Sequence, residues 1–495
     1  MASGECRTAV NGLFPILRPA SGARLLPMTA ATEPPPTSPA RDITRRCVTV
    51  TDDIDRDRPQ TEPSPPALNL APAPHLTPVP DQATPPDQTV PGTVERPAGR
   101  AQLTLLVAGI CMPVLGSALI SPVLPQMQRH FHNTPGSDVL VPMVVALPGL
   151  FLALSAPLLG SVADRTNRKA LLLIAVALYA VVGSAPLYLA SLVAIAVSRV
   201  LLGACEGVIL ICCTSLIGDY WTGARRAKYL SVSTLATSLA ATAFLAVGGV
   251  LGVSGWRTPF WMYVLPLLLL VPMARLLWQP PRTSTPGVGT RLEPLPRRQV
   301  LVPCLVTLFG GLYFFTLVVE LPFILDGIGI HSTAAVGTIS AVMALATAAG
   351  SALFPRLAAR PARVLVPLEF AGVAVGLATV FATGALPVVV TGAIITGFST
   401  GVMLPTLLVW AIHRLNYSQR GRGTGWWSGA LNLGQFFCPL VVAGLSTASG
   451  GLQPALGVLA LAAALLAATV LLGLRHQHDP LDPSPGEPVT APAAP

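Results

Sequence analysis

The chain has 495 residues, of which 52% are hydrophobic and only 11% are charged, whereas about a quarter of the residues of an ordinary soluble domain carry a charge. This composition excludes a conventional water-soluble enzyme and indicates that lipid is the solvent for most of the chain. The formal net charge of +9 does not indicate a nucleic-acid-binding patch, because the cations lie in short clusters between long apolar runs.

Both ends of the chain are polar and rich in proline. Residues 1–100 contain 19 prolines and little apolar surface to bury, so we expect a disordered cytoplasmic tail. Residues 11–17 supply only a fragment of the apolar stretch of a signal peptide. Cleavage is therefore not expected, and the sequence leaves open whether residues 1–27 are translated. Residues 476–495 form a second, shorter tail of the same kind.

Long uncharged runs between the tails predict membrane-spanning helices. About 20 apolar residues are needed to cross a bilayer, and a charge at the centre costs about 3 kcal/mol. We therefore predict an all-α membrane protein with twelve transmembrane helices. These spans, numbered 1 to 12, cover residues 102–124, 140–162, 170–187, 192–214, 229–252, 259–277, 299–321, 333–354, 364–384, 388–411, 424–446 and 452–474.

The basic residues of the loops alternate in number along the chain. Loops after spans 2, 4, 6, 8 and 10 hold 17 Lys and Arg residues, whereas the loops on the other side hold only Arg129 and Arg257. Basic loops stay in the cytoplasm. We therefore expect a multi-pass protein of the cell (inner or plasma) membrane with both termini in the cytoplasm.

The two halves of the membrane region are related in sequence. Residues 158–170 and 353–365 align at an offset of 195 residues, which superposes two arginines of each segment. This match predicts two six-helix pseudo-repeats, an arrangement that places a binding site at the repeat interface. The expected domains are the tail 1–100, an N-terminal bundle 101–278, a cytoplasmic linker 279–298, a C-terminal bundle 299–475 and the tail 476–495.

The loop after span 2 carries a specific motif, GSVADRTNRK. It resembles the loop between helices 2 and 3 of the major facilitator superfamily, Gly-x-x-x-Asp-Arg-x-Gly-Arg-Arg/Lys. Asn167 replaces the family's glycine, and Asn tolerates a left-handed turn. The resemblance implies a twelve-helix transporter in which this cluster latches the halves in one access state; the alternative is a basic turn that only fixes topology. The matching residues are Gly160, Asp164, Arg165, Arg168 and Lys169.

Further segments support the resemblance. Asp219 and Arg226 match the family's loop after helix 4, and we expect them to share the gating role. Residues 255–261 (GWRTPFW) are similar to the family's entry to helix 6. Span 5 keeps Gly248 and Gly249 of a glycine pattern found in antiporter members, without the earlier residues of that pattern.

Span 4 contains two charges on one helical face. Arg199 and Gly203 resemble the family's Arg-x-x-x-Gly motif, and Glu206 follows Arg199 by seven residues, within about 20° of the same face. Charges in a membrane helix point into the bundle. Desolvation favours a neutral carboxyl and a nearby cation favours the carboxylate. We predict that Glu206 exchanges protons under the influence of Arg199; the alternative is a static pair that fixes the helix.

Span 11 combines two amides with two indoles. Asn432, Gln435, Trp426 and Trp427 are candidates for substrate contact, although amides in a membrane helix also join neighbouring helices. Span 1 contains no acidic residue, which argues against a cation site built on that helix.

Three other acidic residues have structural interpretations. Glu320 and Asp326 flank the end of span 7, where solvated rim charges are expected. Glu369 lies in span 9 near Arg360 and Arg363, so we expect an interfacial salt bridge.

The resemblance covers residues 101–475 and implies a transporter rather than an enzyme. The sequence contains no G-x-x-x-x-G-K-[ST] loop, so ATP is not the expected energy source. We predict proton-coupled export of a small organic solute by alternating access, in the manner of an efflux antiporter. Expected partners are the solute, protons and the lipid bilayer, with no nucleic acid, metal or cofactor, and a monomeric state.

Two alternatives stay open at this stage. A proton-linked importer of a sugar or organic acid has the same architecture, although acidic residues in span 1 would have favoured it. A non-transporting receptor or scaffold would use the long tails to bind partners and would tolerate replacement of Asp164 and Glu206. The sequence does not specify the substrate or the direction of transport.

Overall fold

A computed structural model describes residues 98–279, 296–413 and 415–475, except for the side chains of 155–165, 227, 297–298 and 417–418. Residues 1–97 of the predicted N-terminal tail, residues 280–295 of the predicted linker and the whole predicted C-terminal tail lie outside this part of the chain. Thirteen α-helices occur within it. They are α1 (Arg100–Ala118), α2 (Leu124–His130), α3 (Ser137–Arg165), α4 (Arg168–Gly183), α5 (Leu192–Tyr220), α6 (Gly223–Gly252), α7 (Leu267–Leu276), α8 (Arg297–Gly327), α9 (Thr333–Leu357), α10 (Ala362–Ala382), α11 (Leu386–Ile412), α12 (Tyr417–Ser449) and α13 (Leu452–Gly473).

These helices provide twelve segments in the described residues that are long and apolar enough to cross a membrane. Span 1 consists of α1, a 3₁₀ turn at Ser121–Val123 and α2, and span 6 combines α7 with a 3₁₀ helix at Thr258–Val264. Span 3 joins α4 to a 3₁₀ helix at Ala185–Leu187, and each of the other nine spans lies within a single α-helix. The prediction of an all-α, twelve-span fold is confirmed.

Several helices extend beyond their predicted ends. Helix α5 continues to Tyr220, α6 begins at Gly223 and α12 begins at Tyr417. The uncharged runs mark only the part of a helix that lies in hydrocarbon, because a helix satisfies its own backbone hydrogen bonds wherever it continues.

The same packing pattern occurs twice along the chain. In the first six spans α3 packs against α5, and α1 packs against both α5 and α6. In the last six spans α9 packs against α11, and α8 packs against both α11 and α12. The fold therefore consists of two six-helix pseudo-repeats, called here the N-half and the C-half.

The two halves meet along two pairs of helices, α6 with α9 and α3 with α12. A Cβ atom at Gly249 of α6 would lie 2.7 Å from Cα of Gly337 on α9, so these backbones touch directly. On α3, a Cβ atom at Gly149 would lie 3.4 Å from the carbonyl oxygen of Asn432 on α12. Small residues permit this close approach of membrane helices.

An ion pair joins the halves at one end of the bundle, called here the Arg129 end. Arg129, at the end of α2, donates to both carboxylate oxygens of Asp326 on α8 at 2.7 and 2.8 Å, and the His331 ring lies 2.8 Å from the same carboxylate. Deeper in the interface the Ser121 hydroxyl donates to the carbonyl of Val318 at 2.5 Å. Asp326 is thus a partner in an inter-half contact rather than a solvated rim charge.

Candidate functional site

A cavity of about 340 Å³ lies between the N-half and the C-half. Helices α1, α3, α5 and α6 line it from one side, and α8, α9, α11 and α12 line it from the other. A pocket of this size can enclose a small organic molecule. The cavity is therefore the candidate site for a transported solute.

Most of the cavity wall is apolar, and its polar groups are almost all neutral. Glu206 is the only ionisable side chain among the described residues that line it. The neutral polar groups are hydroxyls and two amides, contributed by Ser117, Thr237, Ser238, Thr347, Ser351, Thr396, Thr400, Asn432 and Gln435.

Each of the seven hydroxyls donates its hydrogen to a main-chain carbonyl. Thr237 donates to Ser233 at 2.8 Å, and Ser351 donates to Gly401 on the adjacent helix at 2.8 Å. The other five bond carbonyls three or four residues earlier in their own helices. A hydroxyl has one hydrogen and two lone pairs. Because the hydrogen of each of these groups is already bonded, each hydroxyl can only accept a hydrogen bond from a solute.

Glu206 projects from α5 toward α1 and is only 2% exposed. It fits because residue 116 is glycine: a Cβ atom there would overlap the carboxylate oxygen Oε1. Gly203, one turn earlier on α5, allows the backbone of α3 at Pro148 to approach closely. Within the described part of the chain, Oε1 has no hydrogen-bond partner. The carboxyl thus reaches the cavity with bonding capacity left unused.

Arg199 is fully buried in the core of the N-half. Its Nη2 atom donates to the carbonyls of Val182 and Gly183 at 3.2 and 2.9 Å, at the end of α4, where the helix dipole favours a cation. The guanidinium carbon lies 5.4 and 5.3 Å from the ring centroids of Phe260 and Tyr263. The structure therefore holds Arg199 through carbonyls and rings and forms no ion pair between it and Glu206, unlike the static pair considered from the sequence.

Two buried tyrosines fix α1 beside Glu206. Tyr179 donates to the carbonyl of Met112 at 2.7 Å, and Tyr263 donates to the carbonyl of Gly116 at 3.0 Å. Pro113 interrupts the hydrogen-bond ladder of α1 at this level. Sequence reasoning missed both tyrosines, because an aromatic residue in a membrane helix gives no indication of a specific partner.

The predicted gating residues that the structure describes lie together at the opposite end of the bundle, called here the Arg168 end. Arg168 and Asp219 form an ion pair at 2.5 Å, and the Lys169 ammonium donates to the carbonyl of Ala274 on α7 at 2.6 Å. The Arg226 guanidinium packs over Gly218, within 3.2 Å of a Cβ placed there. Gly160, Asp164 and Arg165 belong to the segment 155–165, whose side chains lie outside the described set. The gating role of the cluster stays a prediction.

The candidate substrate residues on α12 divide between two faces of the helix. Asn432 and Gln435 line the cavity, and the Asn432 amide donates to the carbonyl of Ser428 at 2.9 Å. Trp426 is 64% exposed and Trp427 is half-buried, and neither lines the cavity. The two amides are one turn apart on one face of the helix, whereas the indoles lie on other faces. Substrate contact by all four side chains stays a prediction.

Two predicted surface carboxyls are buried. Glu320 is 4% exposed, because α8 continues beyond it to Gly327. Glu369 is also 4% exposed and accepts a hydrogen bond from the Thr406 hydroxyl on α11 at 2.6 Å. The predicted salt bridge of Glu369 with Arg360 or Arg363 is wrong, because a residue six positions along a helix from Arg363 faces a different direction.

Solved membrane transporters share this fold. A bacterial homolog of the human lysosomal transporter Spinster, in an inward-facing and occupied conformation, is 17% identical with a TM-score of 0.64, covering 76% of this chain and 96% of its own. A D-xylose–proton symporter is 18% identical with a TM-score of 0.64, over 74% of this chain and 97% of its own. The human organic anion transporter MFSD10 is 19% identical with a TM-score of 0.57, covering 75% of this chain and 99% of its own.

Sequence comparison assigns the family independently of the fold. Among curated proteins, none matches this sequence significantly. The family model described as Major Facilitator Superfamily matches residues 106–415 and 304–495. These matches span most of the membrane region, in which two six-helix pseudo-repeats enclose a cavity. The chain belongs to the major facilitator superfamily of membrane transporters.

Proposed function

We propose that this transporter exports a small organic solute in exchange for protons, by alternating access of the cavity between its two halves. The observation that carries the proposal is the position of Glu206, the only ionisable side chain among the described residues lining the cavity. A carboxyl at a solute site can bind either a proton or a solute, and this competition couples the two movements.

The distribution of contacts supports alternating access. At the Arg129 end the Arg129–Asp326 ion pair and the Gly249–Gly337 contact bring the halves together. We propose that the other access state is stabilised at the Arg168 end by the gating residues. These are Gly160, Asp164, Arg165, Arg168, Lys169, Asp219 and Arg226.

The proposed roles within the site follow from burial. Glu206 carries the proton, and Arg199, fixed by the carbonyls of α4, supplies a constant positive charge within the same helix. Asn432 and Gln435 contact the solute from the C-half. We further propose that a single chain suffices and that both termini lie in the cytoplasm of a cell-membrane protein.

Proton movement in proteoliposomes tests this function. Vesicles with a pH-sensitive dye inside would be exposed in turn to organic cations, organic anions, sugars and nucleosides. We expect at least one class to drive proton movement with the wild type and with Glu369→Gln, a buried carboxyl outside the cavity. Glu206→Gln removes the titrating group, so solute-driven proton movement should disappear. Undiminished proton coupling in Glu206→Gln would contradict the assignment.

A further inference from the structure

We infer that the cavity binds organic cations that carry one positive charge on an apolar body, with the charge placed against the Glu206 carboxylate. This inference rests on the proposed function and adds the chemical class of the solute. Three features of the cavity wall support it: its charge, the direction of its hydrogen bonds and its apolar surface.

The only ionisable group in the described wall is acidic. Glu206 contributes one carboxyl, and no Lys, Arg or His is among the described lining residues. Arg199 is not part of this wall: its Nη2 atom donates to the carbonyls of α4, and two aromatic rings pack against its guanidinium. An anion would therefore enter a space with no cation to receive it, at a large desolvation cost.

The hydrogen bonds of the wall have the same polarity. All seven lining hydroxyls donate to main-chain carbonyls, as Thr396 does to Gly392 and Thr400 does to Thr396, both at 2.9 Å. The Asn432 amide nitrogen is engaged with Ser428 in the same way. These eight groups present oxygen to a solute, and oxygen attracts cations and hydrogen-bond donors. The amide of Gln435 adds one carbonyl and one NH2 group to the wall. A sugar has several hydroxyl oxygens that accept hydrogen bonds, and in this wall most of those oxygens would find no donor.

The remaining surface suits an apolar body. Phe314, Phe315 and Met343 line the cavity from the C-half, and Pro113 and Leu152 line it from the N-half. A cavity of about 340 Å³ accommodates one or two fused aromatic rings with a short charged arm. With a single carboxyl in the wall, one positive charge is neutralised and a second would remain unpaired.

Competition between proton and cation follows from this arrangement. The titratable groups that surround Glu206 are Arg199 and Cys205 on α5, Tyr179 on α4 and Tyr263 in the 3₁₀ helix. In ordinary environments arginine, cysteine and tyrosine all titrate above neutral pH. A change in cation binding below neutral pH would therefore report on Glu206.

Binding of three matched probes tests the inference. The probes share a naphthylmethyl body and end in trimethylammonium, hydroxyl or carboxylate. With purified protein in nanodiscs, calorimetry should show that the trimethylammonium probe binds at least about tenfold more tightly than the other two. Its affinity should fall at acidic pH, because the probe has a fixed charge and the proton competes for the carboxyl.

Variants of Glu206 separate the effect of its charge from the effect of its size and packing. Glu206→Gln should weaken binding of the cation by at least about tenfold and remove the pH dependence, whereas Glu206→Asp should retain the preference for the cation. Glu320→Gln, a buried carboxyl outside the cavity wall, should bind like the wild type. If Glu206→Gln does not fold, the relative affinities of the three probes for the wild type still test whether the cavity prefers a cation.

The outcomes distinguish this inference from the proposed function. Equal or tighter binding of the hydroxyl or carboxylate probe, or unchanged cation binding in Glu206→Gln, would overturn the inference. Proton movement driven only by sugars or anions would also overturn it while leaving the transporter function in place. Tight cation binding without any solute-driven proton movement would support the inference and count against proton coupling.

Discussion

At the residue scale, the site depends on a glycine that sequence patterns do not single out. Gly116 of α1 provides the space that the Glu206 carboxylate occupies, and the carbonyl of the same residue is bonded by Tyr263. The carboxyl therefore reaches the cavity through a gap in α1, although α1 itself contains no acidic residue. The cation site that we propose is therefore built on α5 instead of on the first span.

Replacing Gly116 with alanine should disturb the site more than the helix. The new methyl group would overlap Oε1 of Glu206, so the carboxylate must move, and we expect reduced affinity for the trimethylammonium probe. Gly444 of α12, where an added Cβ meets nothing within 4 Å, is the matched control. In the middle of a helix Ala is about 1 kcal/mol more favourable than Gly, so the melting temperature of Gly444→Ala should be no lower than that of the wild type. This variant should also bind the trimethylammonium probe normally. Normal cation binding by Gly116→Ala would contradict the geometry of the site.

At the element scale, the sequence predicts the spans well because the bilayer penalises every charge in its core. Uncharged runs therefore locate all twelve spans. They do not indicate which way each helix faces: Glu320 and Glu369 point into the C-half, contrary to expectation, and only two of four candidates on α12 line the cavity. The direction in which each helix face points depends on contacts with other helices. One such contact is the hydrogen bond that the Thr406 hydroxyl of α11 donates to Glu369 of α10.

The contact between α6 and α9 should be sensitive to side-chain size. Gly249 lies against Gly337 and against the carbonyl of Thr333, so a leucine at position 249 would force the halves apart at the Arg129 end. We expect Gly249→Leu to lose most solute-driven proton movement while remaining in the membrane. Val250→Leu, at a neighbouring position that is 61% exposed, should retain it. Equal activity of both variants would show that this contact is not used in transport.

At the scale of the whole molecule, the Arg129 end brings the halves together through contacts that can be released. Arg129 is 51% exposed and Asp326 27% exposed at the side chain. Ion pairs in such positions contribute about 1 kcal/mol or less, which is small enough for the pair to open during a transport cycle. The repeat of one packing pattern in both halves allows each half to move as a unit about the cavity. The sequence indicated this repeat, but the inter-half pair depends on residues 197 positions apart and could not be predicted from it.

Alternating access is the central claim, and reciprocal motion of the two ends is its most direct measure. Spin labels would be placed at Asn133 and Ala385 for the Arg129 end and at Arg225 and Arg360 for the Arg168 end, all exposed positions. Paired distances would be measured in the wild type and in Asp326→Asn, which removes the carboxylate that binds Arg129. We predict that the variant populates longer distances at the Arg129 end and shorter distances at the Arg168 end. Distances that lengthen at both ends together, or that stay fixed at both, would contradict alternating access.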